Sequence, residues 1–145
     1  MADKVLVIED DKVLGEVLVQ KLQSSGYEVQ LAVDGAEGLR LISEWMPQLI
    51  LLDIILPTMN GYEILEAKAK NPAVAHIPVI IISNSGQPVE ISRTVNLGVK
   101  DYMIKTDFNP EEVLGKVQLQ LNSDSTPATV LQGKTILVIE DDPFL

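Results

Sequence analysis

Leu49-Ile50-Leu51-Leu52-Asp53-Ile54-Ile55-Leu56-Pro57 is a run of four apolar residues that delivers a carboxylate, followed by an apolar loop that proline closes. Four successive apolar residues bounded by turn signals read as a strand covered on both faces, the kind found inside a parallel sheet. Val5-Leu6-Val7-Ile8 and Val79-Ile80-Ile81-Ile82 repeat the pattern, the first stopping at Glu9-Asp10-Asp11 and the second at Ser83. Two more strands are predicted, Tyr27 to Ala32 and Asp101 to Ile104, the latter ending at Lys105.

Between these strands the apolar spacing changes to that of a helix. Val13, Leu14, Val17, Leu18 and Leu22 recur on one helical face, and Ser25-Gly26 closes it. Asp34-Gly35 leads into a helix carrying Ala36, Leu39 and Ile42, which Pro47 prevents from continuing. Asn60-Gly61 precedes a helix over Tyr62 to Ala69, and another is predicted from about Val89 to Leu97, stopped by Gly98. Asn109-Pro110-Glu111-Glu112 is a helix start, with Asn as cap, proline in the first turn and acids near the positive dipole end. Its apolar face is Val113, Leu114, Val117 and Leu121.

Strands alternating with helices in this way predict an α/β fold, a parallel sheet with helices on both faces. Ligands in such sheets sit beyond the carboxyl ends of the strands. Four of the five predicted strands end at polar residues, Glu9-Asp10, Asp53, Ser83 and Lys105, which gathers them on one rim. Carboxylates held close together repel, and a hard divalent cation with oxygen ligands relieves them. Mg²⁺ fits, because it takes one or two carboxylates and accepts phosphate oxygens. Asp53 can then attack a phosphoryl group to form an acyl phosphate, with Lys105 and Ser83 offering a charge and a hydroxyl to its oxygens. Singly, an acid after a strand is often a helix cap, a lysine a surface charge and a serine a turn residue. Their complementary chemistry on four strand ends is what makes the signal specific.

The set Glu9-Asp10, Asp53, Ser83 and Lys105, with Asp53-Ile54-Ile55-Leu56-Pro57 and Asn60-Gly61-Tyr62-Glu63, resembles the CheY-like receiver domains of two-component response regulators over about residues 3 to 121. The resemblance implies a flavodoxin-like (βα)5 fold, a doubly wound five-stranded parallel sheet of order 2-1-3-4-5. It further implies that Asp53 accepts a phosphoryl group from a histidine kinase or histidine phosphotransfer protein. Mg²⁺ would be held by Asp10, Asp53 and the backbone carbonyl of Ile55, with Glu9 acting mainly through water. Ser83 and Tyr102 match the family's switch pair, which on phosphorylation shifts the face made by the fourth helix, fifth strand and fifth helix. That face would control a downstream effector or an adjoining domain. Two positions depart from the family pattern: Thr106 stands where proline usually follows the lysine, and Asn84 where a small residue, usually alanine, follows the hydroxyl.

The remaining sequence sets bounds on this reading. The 145 residues suffice for one full domain, and 46% hydrophobic with 22% charged residues is globular composition. The net charge of −10 disfavours direct nucleic-acid contact by this segment, which needs clustered Lys and Arg. The apolar runs are too short to span a membrane, and the absence of cysteine fits the cytoplasm. His76, the only histidine, reads as a surface residue, and Trp45 and Met46 as packing at the end of the second helix.

The expected organisation is a receiver domain over 1–121, a linker over 122–133, and a truncated start of a second receiver over 134–145. The last rests on Ile136 to Leu145, ILVIEDDPFL, which matches VLVIEDDKVL from Val5 to Leu14 at seven of ten positions. An orphan strand there is expected either to be disordered or to dock on a sheet edge, as in an exchanged dimer. Two other functions compete with the phosphorylated switch. One is a pseudo-receiver that binds partners without phosphorylation. The other is an aspartyl-nucleophile phosphatase, which Ile55 argues against, since such enzymes carry a second aspartate two residues past the nucleophile. No turnover of an external substrate is expected.

Overall fold

The computed structural model describes residues 3–83, 94–105 and 109–125. Five strands, β1 (Lys4–Ile8), β2 (Glu28–Ala32), β3 (Leu49–Asp53), β4 (Val79–Ser83) and β5 (Val99–Ile104), form one sheet of order β2-β1-β3-β4-β5. Every pairing is parallel. The helices described in full are α1 (Lys12–Ser24), α2 (Gly35–Trp45), α3 (Gly61–Ala69) and α4 (Pro110–Ser125). The doubly wound order implied by the family resemblance is therefore the order observed.

Burial follows strand position. All five residues of β3 and of β4 are buried, whereas β2 and β5 mix buried and exposed residues. Side chains alternate across the sheet, so each apolar strand feeds two cores. Leu6, Ile8, Ile50, Leu52, Val79 and Ile81 point to one side, where they meet Leu41 and Ile42 of α2 and Ile64 and Leu65 of α3. Val5, Val7, Leu49, Leu51, Ile80 and Ile82 point to the other, against Leu18 and Leu22 of α1 and Val113, Val117 and Leu121 of α4. Central strands this apolar cannot move to an edge without exposing one of the two layers.

Local signals set the helix starts. Asp11 caps α1 by accepting from the amides of Val13 (3.1 Å) and Leu14 (3.2 Å), and Asp34 caps α2 through the Glu37 amide at 2.8 Å. Asn60 and Glu63 form a reciprocal capping box on α3. Asn109 accepts from the Glu111 amide at 2.9 Å at the start of α4. That helix continues to Ser125, past the point where the polar sequence suggested a linker. Of the helix predicted near 89–97, residues 94–97 are described: Thr94 and Val95 are helical, Asn96 and Leu97 already lie in the turn that ends it, and Gly98 follows with a positive φ of 94°. The predictions that concern Asn84, Thr106, most of the linker and the repeat at 136–145 lie outside the described residues. Among the described residues, no helix is long and apolar enough to cross a membrane.

Candidate functional site

Parallel strands deliver their carboxyl ends to a common edge, and the register fixes which residues meet there. Ile8 pairs with Leu52, and Asp53 with Ile82, so Glu9 and Asp53 leave adjacent strands at the same level. Ser83 lies one residue beyond the partner of Asp53 and pairs with Ile104, the residue before Lys105. Glu9, Asp10 and Asp53 each place a carboxylate oxygen within 4.8 Å of the others. Lys105 completes the group, donating to Asp53 Oδ2 at 2.8 Å and to Glu9 Oε2 at 3.0 Å.

The acids at the end of β1 divide their tasks. Asp11 is consumed in capping α1. Glu9 is buried, accepts from the Asp11 amide at 3.1 Å and faces Lys105. Asp10, exposed at the mouth, contributes the third carboxylate. Asp53 is 3% exposed and Ser83 is also buried, so both side chains rise from within the sheet.

Electrostatics reflect the crowding. Burial pushes the Glu9 carboxyl up to about 7; the Asp53 charge adds to that rise, and hydrogen bonds from Lys105 and the Asp11 amide oppose it. For Lys105, burial acts to lower the pKa, but the hydrogen bonds and charges of Asp53 and Glu9 outweigh it and hold the ammonium above its ordinary value. One cation thus faces two buried acids and a third at the rim. Among the described residues, two buried carboxylate oxygens have no hydrogen-bond partner, Glu9 Oε1, which has the Lys105 ammonium 2.9 Å away as an ion pair, and Asp53 Oδ1. A buried carboxylate oxygen without a donor normally signals a missing ligand. Three converging carboxylates answered by a single ammonium suit a hard, oxygen-loving divalent cation.

Tyr102, on β5, is partly buried against the core shared with α2 and α3, and its hydroxyl meets that of Thr94, which is fully buried. The sequence reading named Tyr102 but missed Thr94, whose partner depends on the crossover into β5. It also missed Thr58, in the loop after β3, whose hydroxyl accepts from the Ala36 amide at 3.0 Å. Its backbone takes a positive φ of 65°, which a threonine does not announce, so no local signal marked that position. Ile55 is 62% exposed in the same loop, and His76 is exposed and remote from the cluster of acids in the chain.

Comparison with known proteins places this arrangement. The family profile described as the response regulator receiver domain matches residues 5–118. The chain is 33% identical over 118 residues to the DNA-binding dual master transcriptional regulator RpaA of Synechocystis, covering 81% of this chain and 48% of that protein. It is 30% identical over 132 residues to the DNA-binding response regulator MtrA of Mycobacterium tuberculosis, covering 90% of this chain and 56% of that one. The chain therefore spans about half the length of these curated relatives. Among solved structures, a CheY-like receiver domain protein from Methanospirillum hungatei superposes with a TM-score of 0.77 at 29% identity, covering 86% of this chain and 98% of that one. The chemotaxis response regulator CheY4 of Vibrio cholerae gives 0.75 at 27% identity, covering 83% and 99%. The profile ends before the repeat at 136–145, so a second receiver domain is not part of this match. With the sheet order, the converging acids and the profile in agreement, this chain belongs to the response regulator receiver domain family.

Proposed function

We propose that the chain is a phosphorylatable signalling switch in which Asp53 takes a phosphoryl group from a histidine kinase or histidine phosphotransfer protein. The observation that carries this reading is the state of Asp53: one carboxylate oxygen is held by Lys105 at 2.8 Å, and the other is buried with no hydrogen-bond partner among the described residues. Oδ1 is thereby the free nucleophile. It attacks phosphorus in line, the bond from phosphorus to the donor nitrogen breaks, and the histidine leaves carrying the electron pair of that bond. Lys105 then turns from the carboxylate to a phosphoryl oxygen, and Ser83 donates its hydroxyl to another.

Asp10, Asp53 and the backbone carbonyl of Ile55 would hold Mg²⁺, with Glu9 reaching it through water. When bound, Mg²⁺ supplies the positive charge that lets a phosphate approach three carboxylates. Movement of Ser83 toward the phosphoryl group draws Tyr102 inward and reshapes the face formed by β5, α4 and the residues before Gly98, which an effector or adjoining domain reads. The switch promotes its own phosphorylation and dephosphorylation and turns over no external substrate. Its place is the cytoplasm, where such donors act. The DNA binding named in the relatives is not assigned to these residues, because a net charge of −10 opposes contact with phosphates. Residues 134–145, which repeat the first strand and its acids, we read as the start of a second receiver, joined by a linker that begins after α4.

The test is intact mass after incubation with Mg²⁺ and acetyl phosphate, beside an Asp53→Asn control. The proposal predicts a gain of one phosphoryl that requires Mg²⁺, is removed by hydroxylamine and does not occur in the control. No gain under conditions that label another receiver would leave a partner-binding module that works without phosphorylation.

A further inference from the structure

The loop between β3 and α3 carries Ile55, whose side chain is 62% exposed, between Ile54, which is buried in the core, and Leu56, which is partly buried against it. Packing of Ile54, Leu56 and Met59 holds the loop on the core, and main-chain anchors on either side of Ile55 add to it in setting the direction of its carbonyl. One anchor is at the base, where the Gly61 amide donates to Ile54 O at 2.6 Å. The other is at Thr58. The Met59 amide bonds back to Pro57 O at 2.8 Å across a three-residue turn centred on Thr58, whose φ is +65°. A turn of this hand is rare, and a β-branched residue at positive φ is strained there. Glycine would adopt the same backbone without that strain.

What the threonine supplies is a hydroxyl. Its Oγ1 accepts from the Ala36 amide at 3.0 Å and donates toward Asp34 Oδ1 at 3.4 Å, and beside it the Gly35 amide donates to Pro57 O at 3.0 Å. Asp34, Gly35 and Ala36 open α2, a rigid helix packed on the sheet. The loop is thus pinned at its tip to the start of α2 and at its base to α3.

We infer that Thr58 is a positioning residue whose hydroxyl clamps this loop to α2 and so holds the Ile55 carbonyl in place for the divalent cation. This rests on the Mg²⁺ site proposed above. Thr58 touches neither cation nor phosphoryl group; it acts through the main chain between residues 55 and 58. Strain at Thr58 persists because the hydroxyl bonds compensate it, a pattern typical of functional sites.

The experiment uses the full chain with Thr58→Gly, which relieves the strain and removes the hydroxyl, and Thr58→Ser, which keeps the hydroxyl. Mg²⁺ affinity of the unphosphorylated protein is followed by NMR shifts of the Asp53 and Ile54 amides, and exchange of the Ala36 amide is followed without metal. Loss of an outer hydrogen bond that orients a metal ligand predicts roughly tenfold weaker Mg²⁺ binding in Thr58→Gly. The same variant exchanges Ala36 faster while its Tm does not fall, and Thr58→Ser stays near wild type in both. Equal Mg²⁺ affinity in Thr58→Gly and wild type would overturn the inference, as would Thr58→Ser losing as much affinity as Thr58→Gly. If wild type itself binds no Mg²⁺, the proposed cation site fails, and the role of Thr58 falls with it.

Discussion

Lys68 is a lysine in the middle of an α/β core. Its side chain is 1% exposed and its ammonium donates to Ala75 O at 2.9 Å, tying the end of α3 to the segment that leads into β4. Burial, with the charge of Lys100 added, lowers its pKa to about 8. In the unfolded chain the group titrates near 10.5. Between these values the unfolded state binds more protons than the folded one, so stability rises with pH across that window. Below pH 8 both states are protonated and the cost of the buried charge is constant. A shift of this size corresponds to on the order of 3 kcal/mol over the whole window. Lys68→Met is predicted to remove that slope: the difference in unfolding free energy between variant and wild type, from urea titrations at pH 7 to 10.5, shrinks as pH rises. A difference that stays flat would show that Lys68 is charged in both states throughout. Nothing in Glu66-Ala67-Lys68-Ala69 announced this burial, because lysine in a helix usually snorkels to water. The acids at the strand ends were legible for the opposite reason, since each directly follows a strand whose burial fixes where its last residue emerges.

At the scale of the elements, the fit between α2 and the loop after β3 admits no side chain at Gly35. A Cβ there would lie 1.8 Å from Met59 O, a backbone atom that cannot swing away. Gly35→Ala is therefore predicted to cost about 3 kcal/mol. It should also loosen the Pro57 and Thr58 anchors, so Mg²⁺ binding weakens along with stability. Gly115 gives the opposite case, being exposed on α4 with nothing within 4 Å of the position a methyl would take. Gly115→Ala is predicted to stabilise by about 1 kcal/mol through helix propensity alone. Thermal unfolding of both variants checks the pair, and a Gly35→Ala protein as stable as wild type would contradict the packing described. The sequence marked Gly35 only as part of a turn before a helix. Its close approach to Met59 joins segments more than twenty residues apart, and no local pattern carries that. The strands, by contrast, were readable within a residue or two because apolar runs of four or five leave few alternatives. The last helix runs beyond its predicted apolar face, through polar residues that are compatible with helix but carry no periodic signal.

For the whole molecule, two cores on either side of one sheet make the carboxyl edge rigid, and rigidity there lets four weak signals act as one site. Lys105, directly after β5, donates to the carboxylates at the ends of β1 and β3, and in the proposed switch it is the link by which a change of charge at Asp53 would reach the strand that bears Tyr102. A switch role for Tyr102 was legible only as a family expectation, and its contact with Thr94 arises from the crossover and not from spacing. Everything proposed for the switch depends on Asp53, and not a neighbouring acid, accepting the phosphoryl group. Borohydride reduction after acetyl phosphate treatment, followed by peptide mass mapping, tests it most directly, because an aspartyl phosphate is reduced to homoserine at its own position. Homoserine is expected at position 53 alone, formed only when Mg²⁺ was present during phosphorylation. Homoserine at Asp10 or Asp11, or none at all in a protein that had gained a phosphoryl group, would contradict it.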